Sequence, residues 1–369
     1  MIPVHEPVIG EEEKLAVLEA LSAGEISGSF GRFIEEFEHK FAEYCDCGYG
    51  VAVSSGTAAL HVAAVLAGIG PRDEVLISAS TNIASVNAVA TLGGVVVPID
   101  SEPDTWCMDV RLLERHIGPR TKAIMPVHVY GHPVSMIEVN RLAKKHDLFV
   151  IEDCAEAHGA TYRGHKVGSL GSVGCFSFYA NKVITTGEGG MIVTDDKGLA
   201  DRARSLRNLA FGKPRFMHEE IGYNYRMTNL QAGIGLAQLR RIERVISVKR
   251  RIAHSYSAGL SGVQGLRLPV EREYARNVYW MYCVVVDPEF GMTRDELATW
   301  LYKNGVDTRT MFCPMNLQPS LLKARAVVST ECPVAEDLWK RGMYLPSGCA
   351  LRDAEIDNIC ALIREARCA

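Results

Sequence analysis

The stretch FSFYANKVITTGEGGM, residues 176–191, places one lysine between an apolar run and a loop of threonine and glycine. Burial beside β-structure would lower the pKa of Lys182 and leave part of its amine uncharged. An uncharged amine attacks carbonyl carbons and forms imines, so Lys182 is a candidate nucleophile for Schiff-base chemistry. Taken alone, the lysine is more simply explained as part of a hairpin that points it to water. Other parts of the chain decide between these interpretations.

An acidic pair, Glu152 and Asp153, ends the otherwise apolar run FVIEDC. Such charges are costly without a partner, so at least one carboxylate should meet a cation or a protonated ring nitrogen. A pyridoxal cofactor needs an imine-forming lysine and a carboxylate that keeps its pyridine nitrogen protonated, so that the ring acts as an electron sink. Asp153 and Lys182 together therefore predict pyridoxal chemistry. His158, a few residues further on, fits a core or helix-surface histidine better.

Ser55, Gly56 and Thr57 follow the apolar run YGVAVSS and precede the helical pattern LHVAAVLAG. They therefore open a helix, whose free N–H groups and dipole attract anions. Joined by the serine and threonine hydroxyls, this helix start is well matched to a phosphate. Ser-Gly-Thr is also a routine N-cap, so the motif alone is a weak indication.

Two other segments are weaker candidates for ligand contacts. His128 and Tyr130 end an apolar run ahead of a turn, and their rings fit a pocket wall and structural packing equally well. The loop over residues 24–31 is rich in serine and glycine, and its Ser27 and Ser29 are candidate substrate contacts. A plain helix connector explains that loop about as well.

Composition excludes several function classes. The chain has 369 residues, above the size at which single cores stop growing, so two domains are expected. The formal net charge is -4 without a basic cluster, which argues against nucleic acid as a partner. No stretch fits a membrane span or a signal peptide, so we expect a cytoplasmic protein. The 11 cysteines lack the spacing of a disulfide framework or a zinc site, so no metal is expected.

Seven apolar runs alternate with helical patterns in the first half of the chain, and most are apolar on both faces. This pattern predicts a mainly parallel sheet that helices cover on both sides. The last two runs are separated by too few residues for a crossover, so that pair should be antiparallel. Ligands of such sheets bind beyond the carboxyl ends of the strands. The runs cover residues 49–55, 74–80, 95–100, 121–129, 149–154, 175–179 and 190–195.

Helical patterns precede and follow this sheet region. Two helices are predicted between residues 11 and 47, and one long helix over residues 228–260 connects the domains. Beyond it come a strand over residues 280–286, a helix that Thr293 caps and a final helix over residues 353–368.

The predicted fold is therefore α/β, with a large sheet domain and a small α/β domain. We place the large, ligand-binding domain at residues 1–245 and the small domain at residues 246–369. The N-terminal segment, although part of the large domain in the sequence, is a candidate to pack on the small domain.

Five segments together resemble a known family. They are, in order, SSGTAALH, MPVHVYGHPVSM, VIEDCAEAHGATYRG, SFYANKVITTGEGGMIVT and IGYNYRMTNLQAGIGLAQL. The chain is identified from them as a member of the DegT/DnrJ/EryC1/StrS family of pyridoxal 5'-phosphate-dependent sugar aminotransferases. The resemblance covers nearly the whole chain. It implies the aspartate aminotransferase-like (type I) fold, with a seven-stranded, mostly parallel sheet.

The resemblance also implies roles for individual residues. Lys182 would form the Schiff base with pyridoxal 5'-phosphate and shuttle protons, Asp153 would hold the pyridine nitrogen, and Glu156 would lie by the 3'-oxygen. Asn224 would reach the phosphate from the second subunit, which implies a homodimer with shared active sites. The phosphate itself would be held by Ser55, Gly56, Thr57 and Ser177.

Within the family, these segments are most similar to GDP-perosamine synthases. That similarity implies amination of C4 of GDP-4-keto-6-deoxymannose with L-glutamate, in the biosynthesis of a deoxyamino sugar of the O-antigen type. Another keto-sugar nucleotide or a keto-cyclitol is the alternative substrate. A sugar dehydratase of the family would replace Lys182 by histidine, and a non-catalytic regulatory member would not need Lys182, Asp153 and Glu156 together.

Some residues depart from the family pattern. Asn82 stands where members usually place an aromatic ring that stacks on the cofactor. In the C-terminal part, Arg309 is kept as a candidate substrate contact, but Thr310 and Asn316 replace the usual proline and histidine. These changes fall on the substrate side, so they concern the identity of the sugar and leave the reaction type unchanged.

Overall fold

The computed structural model of the protein describes residues 1–368. Its strands are β1 (Tyr49–Val53), β2 (Glu74–Ser78), β3 (Val95–Ile99), β4 (Thr121–Met125), β5 (Phe149–Asp153), β6 (Thr161–Tyr162), β7 (His165–Lys166), β8 (Val173–Ser177), β9 (Gly190–Thr194), β10 (Leu266–Arg267), β11 (Ala275–Arg276), β12 (Tyr282–Val286), β13 (Arg309–Thr310) and β14 (Gly342–Leu345). Its helices are α1 (Glu11–Ser22), α2 (Arg32–Tyr44), α3 (Gly56–Leu66), α4 (Ile83–Ala90), α5 (Met136–His146), α6 (Lys197–Arg207), α7 (Asn229–Arg240), α8 (Ile242–Leu260), α9 (Arg294–Lys303), α10 (Pro319–Ala324), α11 (Pro333–Arg341) and α12 (Asp353–Cys368).

A seven-stranded sheet organises the first half of the chain, in the order β1-β9-β8-β5-β4-β2-β3. The pairs from β3 to β8 are parallel, whereas β9 runs antiparallel to both β8 and β1. The predictions of seven strands and of an antiparallel final pair are confirmed. Because β1, β5 and β8 point the same way, their carboxyl ends lie at one edge of the sheet.

Helices cover both faces of this sheet because successive strand residues point to opposite sides. Ala52 belongs to the core that α2 and α5 cover, together with Phe37 and Leu142. Its neighbour Val51 belongs to a second core, which includes Leu60 of α3 and residues of α4 and α6. The strands are therefore apolar on both sides, as the sequence pattern predicted.

The C-terminal part has its own sheet and its own core. The antiparallel strands β10, β12, β14 and β13 form the sheet, and α8, α9 and α12 contribute to the core. The N-terminal segment contacts this part, since the Ile2 N–H donates to the Gly305 carbonyl at 2.7 Å and Ile2 bridges to Val306. The domain boundary at residues 245 and 246 stays a prediction.

The predicted single helix over residues 228–260 is wrong, because the structure has two helices, α7 and α8, with a break at Arg241. Arg241 leaves the helical conformation with φ -112° and ψ 10°, and its guanidinium donates to the Val8 carbonyl at 2.6 Å. The apolar periodicity runs through the break without a proline or glycine to mark it, so the sequence pattern predicted continuity.

Both Thr228 and Thr293 form the capping boxes that precede α7 and α9.

Among the described residues, the structure has no helix with the length and apolar character that a membrane crossing requires.

Candidate active site

A cavity of about 260 Å³ opens beyond the carboxyl ends of β1, β5 and β8. Parallel strands of an open α/β sheet deliver their following loops to this edge, which is where such folds bind ligands. The cavity is lined by seven of the residues predicted from the sequence: Ser55, Gly56, Thr57, Asp153, Glu156, Ser177 and Lys182.

The start of α3 forms one end of the cavity. Ser55 caps the helix, its Oγ accepting from the Ala58 N–H at 3.1 Å, and the exposed Thr57 follows Gly56. A Cβ atom on Gly56 would lie 2.6 Å from the Ser177 Cβ, so only glycine lets Ser177 approach the helix start this closely. The N–H groups of the helix start and nearby hydroxyls therefore face the same space, a suitable cradle for a phosphate.

Asp153 lies at the end of β5 with 4% of its surface exposed. Its Oδ2 accepts from the Ser85 hydroxyl at 2.7 Å, and its Oδ1 accepts from the Ala155 N–H at 3.1 Å. Burial raises the pKa of Asp153 above its ordinary value, while these two hydrogen bonds and the Lys182 charge oppose the rise. A buried carboxylate in this setting favours a positively charged partner.

Lys182 extends between Glu156 and an aromatic ring. Its Nζ lies 4.0 Å from Glu156 Oε1 and 4.0 Å from the centre of the Trp280 ring. Its side chain is only 11% exposed, and burial lowers the pKa of the amine, although Glu156 and Asp153 act in the opposite direction. A lowered pKa increases the uncharged fraction of the amine, which is the form that attacks a carbonyl.

Lys249 is the other lysine that needs to be considered, since it is also buried. Its Nζ donates to the Trp280 carbonyl at 2.9 Å and to the Ser347 carbonyl at 2.8 Å. Lys249 does not line the cavity that holds Asp153. Its two hydrogen bonds indicate a role in holding the backbone of the C-terminal part.

Glu156 is buried beside Lys182, and its Oε2 accepts from the Tyr130 N–H at 2.8 Å. Burial raises the pKa of Glu156 from 4.5 to about 7, against the opposing effects of the Lys182 charge and the Tyr130 N–H. The carboxyl group therefore changes its protonation near neutral pH.

This shift predicts a pH-dependent stability difference between the wild-type protein and Glu156→Gln. An acid whose pKa is raised by folding stabilises the folded state below its unfolded pKa, and this contribution is lost as pH rises through the folded pKa. In the cofactor-free proteins, the free energy of unfolding of wild type relative to Glu156→Gln should fall by about 3 kcal/mol between pH 4.5 and pH 7. Urea titrations at several pH values measure the difference, and parallel stability curves would contradict the prediction.

His128, a candidate substrate contact, does not line the cavity. It is completely buried, its Nδ1 accepts from the Val134 N–H at 3.0 Å, and its Nε2 lies 3.0 Å from Glu152 Oε2. Glu152 also accepts from three backbone N–H groups, those of Gly168, Leu170 and Gly171. Of the two explanations that the sequence left open for His128, the structure favours packing, because both ring nitrogens have partners inside the core.

Four other predicted residues lie outside the cavity of the single chain. The Ser27 carbonyl accepts from the Asn229 amide at 2.7 Å, and the Ser29 N–H donates to the Ser27 hydroxyl at 3.2 Å. Arg309 is 57% exposed and pairs with Asp307, and Asn224 is exposed. The structure of one chain therefore does not bring these residues to Lys182.

The sequence analysis missed several residues of the cavity wall, above all Trp280, Phe312 and Tyr344, and it missed Ser85, which donates to Asp153. The rings of Trp280, Tyr130 and Phe312 form a stack, with Tyr130 lying 6.3 Å from Trp280 and 5.3 Å from Phe312. The aromatic stretch NVYWMY was a detectable signal for Trp280, but nothing in its spacing connects it with Lys182. Asn82 lines the cavity, and its Oδ1 accepts from the Ala84 N–H at 3.0 Å as the cap of α4.

The residues of this cavity fit pyridoxal 5'-phosphate. A glycine-dependent cradle at Gly56 and Ser177 suits the phosphate, and the buried carboxylate of Asp153 suits a protonated ring nitrogen. Lys182 supplies an amine of lowered pKa, and the buried Asn181 Oδ1 has no hydrogen-bond partner among the described residues.

Comparison with known proteins points to one family. The sequence model of the DegT/DnrJ/EryC1/StrS aminotransferase family matches residues 7–364 of this chain. The chain is 42% identical over 365 residues to the GDP-perosamine synthase of Caulobacter vibrioides, which covers 98% of this chain and 97% of that protein. It is also 42% identical over 365 residues to the GDP-perosamine synthase of Escherichia coli O157:H7, with 99% and 98% covered. Among solved structures, the aminotransferase TlmJ from Streptoalloteichus hindustanus superposes with a TM-score of 0.93 at 32% identity, covering 99% of this chain and 98% of that one.

Proposed function

Because the chain belongs to the DegT/DnrJ/EryC1/StrS aminotransferase family, we propose that it transfers the amino group of L-glutamate to GDP-4-keto-6-deoxymannose and forms GDP-perosamine. The protein is a pyridoxal-phosphate-dependent sugar aminotransferase. The observation that carries the proposed reaction is the cavity in which Lys182, Asp153 and the phosphate cradle converge. The proposed sugar rests on the 42% identity to two GDP-perosamine synthases over nearly the whole chain.

Pyridoxal phosphate, when bound, supplies an electron-withdrawing ring that takes up the donor's amino group and passes it on to a keto carbon. Gly56, Thr57 and Ser177 would hold the phosphate, and Asp153 would hold a proton on the ring nitrogen. Lys182 Nζ would anchor the group and then move the proton that leaves and returns to the substrate carbon, because its lowered pKa lets it act as a base. Glu156 would lie beside the ring oxygen, and its carboxylate would offset part of the positive charge of Lys182.

An assay of substrate choice tests the proposed sugar. Purified enzyme with glutamate should aminate GDP-4-keto-6-deoxymannose with a kcat/KM well above that for other keto-sugar nucleotides or a keto-cyclitol. Thr310 and Asn316 do not line the cavity of the single chain, and the Asn316 amide donates to Glu336 at 2.8 Å. A preference for another keto sugar would replace the proposed substrate and keep the aminotransferase reaction, whereas no amination of any member of the panel would contradict the reaction itself.

We further propose a homodimer with two shared active sites. Asn224 is exposed and outside the cavity, so it would have to act on a second copy of the chain. Large apolar side chains are exposed in the segment just before Asn224 and on α1. The exposed fractions are 70% for Phe216, 82% for Ile221 and 62% for Leu15. Exposed apolar surface of this kind is typical of an interface, and a two-fold axis would complete both sites at once.

Mixing two inactive variants tests the shared sites. Lys182→Ala and Asn224→Ala dimers should each lack activity, Asn224→Ala through weakened cofactor affinity with both subunits folded. In a mixed dimer, one site receives an intact Lys182 and an intact Asn224. Random re-association should therefore restore about a quarter of the wild-type rate, because half of the dimers are mixed and half of their sites are intact.

If mixed dimers form, as native mass spectrometry would show, and no activity returns, then Asn224 acts within its own chain. Self-mixing of each variant under the same conditions is the control. A monomeric protein that is fully active would contradict the dimer proposal altogether.

A further inference from the structure

Trp280 lies where the C-terminal part of the chain meets the cavity, and only 3% of its surface is exposed. Its ring faces the reactive amine, with Lys182 Nζ 4.0 Å from the ring centre. The Trp280 Nε1–H also donates to the Asn181 carbonyl at 2.7 Å. One side chain therefore contacts both the Lys182 amine and the backbone that carries it.

The indole is itself held in place from two directions. Its backbone carbonyl accepts from the buried Lys249 Nζ at 2.9 Å, which fixes the start of β12. Its ring is parallel to that of Tyr130, with the ring centres 6.3 Å apart and an angle of 6° between the planes. These contacts leave the indole little freedom to turn its face away from Lys182.

We propose that Trp280 is a positioning residue for Lys182, holding the charged amine on its ring face and the Asn181–Lys182 backbone through its indole N–H. This inference rests on the proposed function only in taking Lys182 as the reacting amine. No carboxylate of the described residues reaches Lys182 Nζ at normal hydrogen-bond distance, since the nearest carboxylate oxygen, Glu156 Oε1, is 4.0 Å away. The ring face is therefore a major partner of the charged amine.

The charges around Lys182 make this contribution measurable. Burial lowers the pKa of the amine, and Glu156 and Asp153 oppose this effect. The Lys182 charge also acts on His158 and His5, but burial lowers the pKa of each to about 3, so both are neutral at working pH. A cation over the face of a desolvated tryptophan gains substantial stabilisation, with tryptophan the strongest of the aromatic residues. Removal of the ring should therefore lower the pKa of Lys182 further.

The test measures the titration of Lys182 in the full-length, cofactor-free protein, independently of turnover. Lysines are methylated with ¹³C-formaldehyde and a reductant, and the Lys182 signal is assigned by its loss in Lys182→Arg. In Trp280→Leu, the pKa of Lys182 should fall by about one unit, a tenfold change in the protonation equilibrium. Trp300→Leu is the matched control, because the Trp300 indole also donates to a carbonyl, that of Leu362 at 3.1 Å, and it should leave the titration unchanged.

A second series covers the case in which Trp280→Leu does not fold. Fluorinated tryptophans at position 280 keep the shape and the N–H but weaken the negative face of the ring. The pKa of Lys182 should fall stepwise with the number of fluorine atoms. A folded Trp280→Leu with an unshifted Lys182, or a flat fluorine series, would overturn the proposal. Neither result would affect the proposed function, which the amination assay of the wild-type enzyme tests separately.

Discussion

Lys182→Ala is expected to lower the rate of transamination by about 10⁴-fold or more, since loss of a residue that acts as nucleophile and base has effects of this size. Alanine cannot form an imine with the cofactor and cannot carry a proton at this position. The Lys182 amine makes no close ion pair, since the nearest carboxylate oxygen, Glu156 Oε1, is 4.0 Å away. The substitution therefore leaves no strongly bound partner unpaired, and the fold should persist. The rate of amino-sugar formation and the near-ultraviolet absorbance of bound cofactor measure the effect. Lys144→Ala, on the exposed side of α5, is the control and should match the wild type.

The competing assignment is Lys249, whose surface is only 2% exposed. Borohydride reduction of the holoenzyme followed by peptide mapping distinguishes the two. We expect the added pyridoxyl mass on the peptide that contains Lys182. The Lys249 Nζ already donates to two carbonyls, and its removal should cost about 1–3 kcal/mol of stability for each carbonyl left unpaired. A modified Lys249, or full activity in Lys182→Ala, would contradict the assignment.

The large sheet could be predicted because each of its strands is a short apolar run with a clear end. The run FVIEDC predicted a strand ending near Asp153, and β5 ends at that residue. The predicted residues of the cavity were found for a related reason. Parallel strands deliver their carboxyl ends to one edge, so a lysine, an acid and a helix start that each follow a strand meet there.

Contacts between distant parts of the chain could not be predicted in this way. Ser85 and Asp153 are 68 residues apart, and Trp280 and Asn181 are 99 residues apart. No local period encodes either pair. Trp280 belongs to the C-terminal part of the chain. Its position against Lys182 depends on how that part packs against the large sheet, which only the structure shows.

The choice between Glu152 and Asp153 illustrates a smaller ambiguity. Neighbouring residues of a strand point to opposite sides, so only one of the two carboxylates can face the cavity. Asp153 does, whereas Glu152 turns to His128 and the backbone N–H groups of residues 168–171. The sequence predicted a cation or a protonated ring nitrogen beside at least one of the two acids. In the structure Glu152 contacts the His128 ring, whereas Asp153 accepts hydrogen bonds from a hydroxyl and a backbone N–H. Only the register of β5 decides which acid belongs to the site.

Asp153→Asn is expected to slow proton abstraction from the amino donor by roughly 10²- to 10⁴-fold, the usual size of a general acid–base contribution. The amide keeps an oxygen for the Ala155 N–H, and its nitrogen can donate to the Ser85 hydroxyl, so the two hydrogen bonds of the wild type are replaced in place. Cofactor binding should therefore persist. What is lost is a negative charge able to hold a proton on the ring nitrogen, and with it the electron-withdrawing strength of the ring.

Proton abstraction can be measured without the sugar substrate. In D₂O, the rate at which the Cα hydrogen of glutamate exchanges for solvent deuterium reports this step. Glu152→Gln is the matched control, since it neutralises the adjacent buried carboxylate on the opposite side of the same strand. It should lose stability, because the backbone N–H groups of residues 168–171 then meet a weaker acceptor, and it should keep its exchange rate per folded molecule. Equal slowing per folded molecule in both variants would mean that the loss of either buried charge at the end of β5 slows the step, and that Asp153 has no specific role at the ring nitrogen. A near wild-type rate in Asp153→Asn would remove Asp153 from the active site.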